Sequence, residues 1–171
     1  YPELVDRLVR LALERHADLA FGQLTSDEQN LARTVFSGLI QIGRGTEDVR
    51  RTARLDELVP AQADRAAVET VVGKLANARL ITTDQQGGRD IVSIAHEKLI
   101  KAWPWLNKLI NENREAIALQ NQIAEDAQEW DQHGRDASYL YAGGRLVSAQ
   151  ERLAAKSLVL GGLAQTFVAA G

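Results

Sequence analysis

The chain contains no cysteine. That excludes disulfides, thiolate nucleophiles and thiolate zinc sites, and cysteine redox chemistry with them. Methionine is absent as well, and a chain that opens on Tyr1-Pro2 without an initiator is expected to be a segment of something longer. No apolar run approaches the roughly 18 residues of a membrane span. The N-terminus lacks the basic patch, apolar core and cleavage site of a secretory signal, so a soluble, cytoplasmic protein is expected. Two catalytic signatures are missing too: a glycine-rich phosphate loop ending in Lys-Ser or Lys-Thr, and the His-Glu-x-x-His metal spacing. The histidines His16, His96 and His133 are scattered. Ser93 lies three residues before His96, but a nucleophile and base also need an orienting acid and an oxyanion site, which the sequence does not place. Catalysis by this segment is not expected.

What remains is a 171-residue chain, 45% hydrophobic and 25% charged, able to bury a core without metal or disulfide support. Its net charge of -3 gives no surplus for a non-specific nucleic-acid binder. From Pro2 to Arg15, Leu4, Val5, Leu8, Leu11 and Ala12 recur at helical spacing and predict an amphipathic helix, the tail of a preceding domain. Thr25-Ser26-Asp27-Glu28 has capping-box spacing and starts a second helix. That helix carries Leu31, Val35, Phe36, Leu39 and Ile42 and is predicted to run to Gly43-Arg44-Gly45. Thr46 to Pro60 suits a brief strand and a short helix.

Asp64 is placed to cap the next helix, with Val68, Val71, Val72, Leu75 and Ala78 as its buried stripe. Two β-prone runs follow, Leu80-Ile81-Thr82-Thr83 and Arg89 to Ile94, and the glycine pair Gly87-Gly88 between them tolerates hairpin dihedrals. Helix, short helix, helix and hairpin in that order describe a winged helix. His96 to Ala102 predicts a short helix, restarted at Pro104 because proline is accepted in a first turn. From Pro104 to His133 nothing breaks the pattern, so one helix of about 30 residues, ~45 Å long, is predicted. Its seam, Leu106, Leu109, Ile110, Ile117, Ala124, Ala127 and Trp130, packs within the chain or, alternatively, against a second copy as a coiled coil. Asp136 caps a further helix interrupted at Gly143-Gly144, and Arg145–Ala155 and Leu163–Ala170 complete a helical tail. The expected fold is therefore mainly α: an N-terminal helix over 1–24, a winged helix with a small β-hairpin over 25–103, and a helical arm or bundle over 104–171.

The most informative stretch is Ile91-Val92-Ser93-Ile94-Ala95-His96-Glu97-Lys98-Leu99-Ile100, a strand that turns directly into a helix with an imidazole at the junction. A helix start suits an anion such as a nucleotide phosphate. The alternative is a core histidine hydrogen-bonded inside its own domain. Between Gln62 and Lys98, Arg65, Lys74, Arg79, Arg89 and Lys98 are balanced by Asp64, Glu69, Asp84, Asp90 and Glu97, which argues against phosphate-driven DNA binding. The basic cluster Arg50, Arg51 and Arg54 is flanked by Glu47-Asp48 and Asp56-Glu57 and reads as a loop held by ion pairs. Trp103, Trp105 and Trp130 read as packing anchors rather than a base-stacking platform.

Three stretches, Leu75 to Asp84, Ile94 to Leu106 and Asn113 to Ala116, together with Glu129 to Asp136 and Gly144-Arg145-Leu146, resemble the region after the nucleotide-binding core of bacterial STAND signalling ATPases, many of which continue into WD repeats. The resemblance covers the chain from about Thr25 onward. It implies a regulatory winged helix that closes over ADP, with His96 as the phosphate sensor and Glu97 as the structural acid beside it. His96-Glu97-Lys98-Leu99 is similar to the Met-His-Asp-Leu signature of related plant and animal switches, with Ala95 and Glu97 in place of methionine and aspartate. No cofactor is expected in this segment. ADP or ATP is implied for the parent protein, whose upstream nucleotide-binding domain and downstream repeat domain are the implied partners, with neither nucleic acid nor membrane among them. A DNA-binding winged helix and a helical scaffold for protein partners are the alternatives.

Overall fold

The computed structural model describes residues 2–60, 63–154 and 160–171. It is mainly helical, with two small antiparallel sheets. The first helix, α1 (Pro2–Gly22), continues past the periodic run that ends at Arg15 and lies within the 1–24 expected for it, and its apolar stripe faces away from the protein: Leu4, Val5, Leu8, Leu11 and Leu19 are exposed. The opposite side carries Ala17 into the core, with Leu13, Ala20 and Phe21 beside it.

Helix α2 (Ser26–Gly38) begins at the predicted capping box, where Thr25 accepts from the Glu28 amide and Glu28 from the Thr25 amide. It stops five residues before Gly43. Ile40 and Gln41 instead form β1 (Ile40–Gln41), paired with β2 (Val49–Arg50). Arg51 explains the early stop: its guanidinium donates to the Gly38 carbonyl (3.1 Å) and its amide to the Leu39 carbonyl (2.8 Å). The helix end thereby gains partners for carbonyls that would otherwise lack them. Next come β3 (Ala53–Arg54) and α3 (Leu55–Leu58), the strand and short helix expected there.

Helix α4 (Arg65–Asn77) is capped by Asp64, whose carboxylate accepts from the Ala66 amide at 3.0 Å. It ends in a Schellman arrangement, with Leu80 N–H on the Leu75 carbonyl and Arg79 N–H on the Ala76 carbonyl, and Arg79 at φ 62°. The hairpin is longer than its two β-prone runs. Strands β4 (Ile81–Gln86) and β5 (Arg89–Ile94) pair throughout, leaving only Gly87 and Gly88 as the turn, at φ 60° and 78°. Both positive φ values are what a two-residue type I′ turn demands. β3 adds to the free side of β5, giving the order β3-β5-β4.

Two expectations for the following helices are corrected. α5 (Leu99–Ala102) is a single turn beginning three residues after His96, not at it. The predicted 30-residue helix is two, α6 (Pro104–Glu112) and α7 (Arg114–Gln132). Asn113 divides them at φ -122°, and its side-chain amide donates to the Leu109 carbonyl at 2.9 Å. A side chain bonded back to the i−4 carbonyl disturbs the ladder and bends the axis. Asp136 caps only a 3₁₀ turn, Ala137–Tyr139. Gly143 and Gly144 open α8 (Gly143–Ala154) rather than interrupting a helix, and α9 (Gly162–Ala170) follows. Ala155, the expected end of the first tail helix, lies outside the described residues.

The buried side chains form two clusters that meet within α7. One gathers residues from Ala17 to Ile117, including α6, and the other runs from Ile123 to Val168. Every seam position of α6 and α7 is buried except Ala124, which is half-buried, so the stripe packs within the chain. Trp103 and Trp105 stack with Phe21 and Phe36 in the first cluster, while Trp130 meets Phe167 in the second. All three tryptophans are packing anchors, as the sequence suggests.

Candidate functional site

The site is built where β5 leaves the sheet. Ile94 is fully buried and the Ala95 amide bonds the Leu80 carbonyl at 3.0 Å, so the sheet holds the strand end to that point. Leu99 and Ile100 are buried on the other side. The segment between them is pushed outward: His96, Glu97 and Lys98 are all exposed. Its backbone is fixed by turn bonds from Leu99 N–H to the His96 carbonyl (2.9 Å) and from Ile100 N–H to the Glu97 carbonyl (3.2 Å).

The reading of His96 as a core histidine is therefore overturned. Its ring is exposed, and no hydrogen bond engages it among the described residues. The helix-dipole argument also shrinks, because a four-residue helix aligns too few peptides to present a substantial partial charge. Charged side chains instead flank this turn in sequence or bond the strand that leads into it. Arg50 donates to the Ile94 carbonyl at 3.4 Å, two residues before His96. Lys98 lies 3.6 Å from Asp6 of α1. Lys101 pairs with Glu47 of the β1–β2 loop.

That loop also reaches the helical arm. Asp48 receives both terminal nitrogens of Arg114, at 2.9 and 2.7 Å, and the Gly43 amide at 2.9 Å. The Arg114 hydrogen bond, aided by the Gly43 amide and opposed by burial, holds the Asp48 carboxyl below the usual carboxylate range. A depressed carboxyl contributes stability that is complete above its unfolded pKa and is lost as pH falls through the folded one. Acid titration of the folded chain followed by circular dichroism should accordingly lose stability below the ordinary aspartate range, and Asp48→Asn should flatten that limb while lowering stability at neutral pH. Equal acid profiles for the two proteins would show that the pair adds nothing to folding.

The other expected site features resolve into structure. Ser93 donates to the Ile94 carbonyl at 3.4 Å, and no hydrogen bond joins it to His96 among the described residues. His16 contacts the Ala78 carbonyl, and His133 bonds the Glu129 carbonyl (2.8 Å) and stacks on Tyr139. No group of metal-ligating side chains occurs among the described residues. Arg51 pairs with Glu57 at 2.7 Å. On α4, Arg65 pairs with Asp56 and Glu69, and Lys74 with Glu28. Lys74 and the Thr25 amide hold the Glu28 carboxyl below its ordinary value. The cations that a groove-reading helix would offer to phosphates thus already face carboxylates.

Residues 7–138 match the family described as Novel STAND NTPase 1, and the chain belongs to that family. No curated protein and no solved structure matches it. No helix of the structure, among the described residues, is long and apolar enough to cross a membrane.

Proposed function

We propose that this chain is a non-catalytic regulatory segment of a STAND ATPase, in which residues 25–103 act as a winged helix gating ADP/ATP exchange. The observation that carries the reading is the exposed, unpartnered His96 at the strand end, with Arg50 and Lys98 close by in sequence or space. An imidazole N–H donates to a phosphate oxygen, and flanking cations favour an anion there. The nucleotide would be held by a nucleotide-binding domain upstream in the same cytoplasmic chain, and His96 would sense its phosphate only in the closed state. Glu97 beside it keeps the turn polar.

Two further features support the reading. The outward stripe of Leu4, Val5, Leu8 and Leu11 suits packing against that upstream domain. A contiguous polar route leads from the His96 turn through Lys101 and Glu47 to Asp48 and Arg114 at the start of α7, which is the physical continuity a relay to a downstream WD-repeat sensor requires. In the full-length parent, His96→Ala should speed release of a fluorescent ADP analogue about tenfold, the loss of one charge-assisted hydrogen bond of about 1.4 kcal/mol. Unchanged ADP retention would refute the sensor role. The alternative DNA-binding reading requires salt-sensitive duplex binding by this chain alone, and a low-salt titration without a shift removes it.

A further inference from the structure

A second site is lined by residues other than those of the nucleotide reading and does not depend on it. Between α3, the middle of α7 and the start of α9 is a cavity of about 350 Å³. Its wall is mainly apolar, formed by Leu58, Val59, Ala124, Ala127, Leu163 and Ala164. Gly161 sets its rim: a Cβ there would lie 2.8 Å from the Glu57 carbonyl oxygen, so only glycine lets α9 begin this close to α3.

The polar groups at the cavity are not symmetrical. Three guanidiniums, Arg51, Arg54 and Arg65, face two carboxylates, Asp56 and Glu57. Arg51 is paired with Glu57, and Arg65 with Asp56. Glu57 is further occupied by the Arg54 amide (3.3 Å) and the Gln128 side chain (2.7 Å). The half-buried guanidinium of Arg54 has no partner among the described residues. An apolar chamber with a single uncompensated cation at its wall is complementary to a molecule with one anionic head and an apolar body.

We propose that this cavity binds a small amphipathic monoanion, with its carboxylate on Arg54 and its hydrocarbon portion against the α7–α9 wall. Ligand sites are typically apolar hollows of roughly 300–1,000 Å³ with a few convergent polar groups, set where structural units meet. At roughly 30 Å³ per heavy atom, by analogy with the volume share of a water molecule, the space holds about ten to twelve such atoms, the size of a medium-chain carboxylate. A ligand held there touches both core clusters, since α3 belongs to the first and Ala127 and Ala164 to the second. Its binding energy would therefore couple the hairpin-bearing unit to the helical tail.

The test titrates octanoate into the intact chain by calorimetry, with octan-1-ol as the uncharged comparison. One octanoate per chain is expected, with a rise in melting temperature at saturation. Arg54→Gln should weaken octanoate at least tenfold and leave octan-1-ol unchanged, while Ala124→Phe, which fills the chamber, should abolish both. If Ala124→Phe does not fold, Leu163→Trp takes its place. Absence of octanoate binding to the unmodified chain, or binding that neither the filling variant nor Arg54→Gln alters, overturns the proposal.

Discussion

Asn121→Leu should lower the stability of the chain by about 3 kcal/mol, far more than its equal number of heavy atoms suggests. Asn121 is 5% exposed and stands midway along α7. Its amide nitrogen donates to the Ile40 carbonyl at 2.9 Å, and its oxygen accepts from the Ile42 amide at 3.2 Å. The side chain thereby pairs with β1 as a neighbouring strand would, on a backbone with buried residues on both sides. Leucine would leave one donor and one acceptor buried and unpaired, and each such group costs about 1–3 kcal/mol. Urea denaturation followed by circular dichroism measures the loss, and a change under about 1 kcal/mol would mean that water replaces the amide. With the Asp48–Arg114 pair, these bonds tie the first sheet to α7.

Trp103→Ala should cost about 3–5 kcal/mol, the range for deleting a buried aromatic side chain. The residue is fully buried, and its rings lie 5.9, 5.5 and 4.6 Å from those of Phe21, Phe36 and Trp105. Its indole N–H donates to Asp18 at 2.8 Å. One side chain therefore joins α1, α2 and the α5–α6 junction, and alanine would open a cavity shared by all of them. Trp103→Phe keeps most of the ring and should lose less, with the orphaned Asp18 able to turn to solvent. Guanidinium titration of the three proteins should rank them unmodified, phenylalanine, alanine. Equal midpoints for phenylalanine and alanine would place the weight on the Asp18 hydrogen bond instead of the ring.

Much of this architecture was legible because it rests on local chemistry. The Thr25–Glu28 box, the Asp64 cap and the Gly87-Gly88 turn each need only three or four neighbouring residues to recognise, and all three form as read. The failures share a cause of the opposite kind. The run from Leu39 to Ile42 continues a helical apolar pattern, and only Arg51, with Asn121 from some 80 residues away, makes a strand of it. Asn113 is an ordinary helix residue until its side chain bonds back to Leu109 and Arg114 beside it is drawn to Asp48. The histidine was found from its place between an apolar strand and an apolar helix, and its exposure follows from that same pattern. Its surroundings were not readable, because Arg50 reaches the Ile94 carbonyl, two residues before it, across strands that the sequence does not pair. The cavity was hidden for the same reason, being a product of how α9 returns to α3.

The division of α7 between two cores has a mechanical consequence. At 1.5 Å per residue, the stretch from Asn113 to Trp130 is a stiff shaft of roughly 25 Å. Turning the hairpin-bearing unit by roughly 10° would swing the far end of that shaft by roughly 4 Å, which is most of a helical turn. A small adjustment at the hairpin would thus arrive at Trp130 and Phe167 as a displacement that no packed interior absorbs by bending, and the tail would have to travel with it.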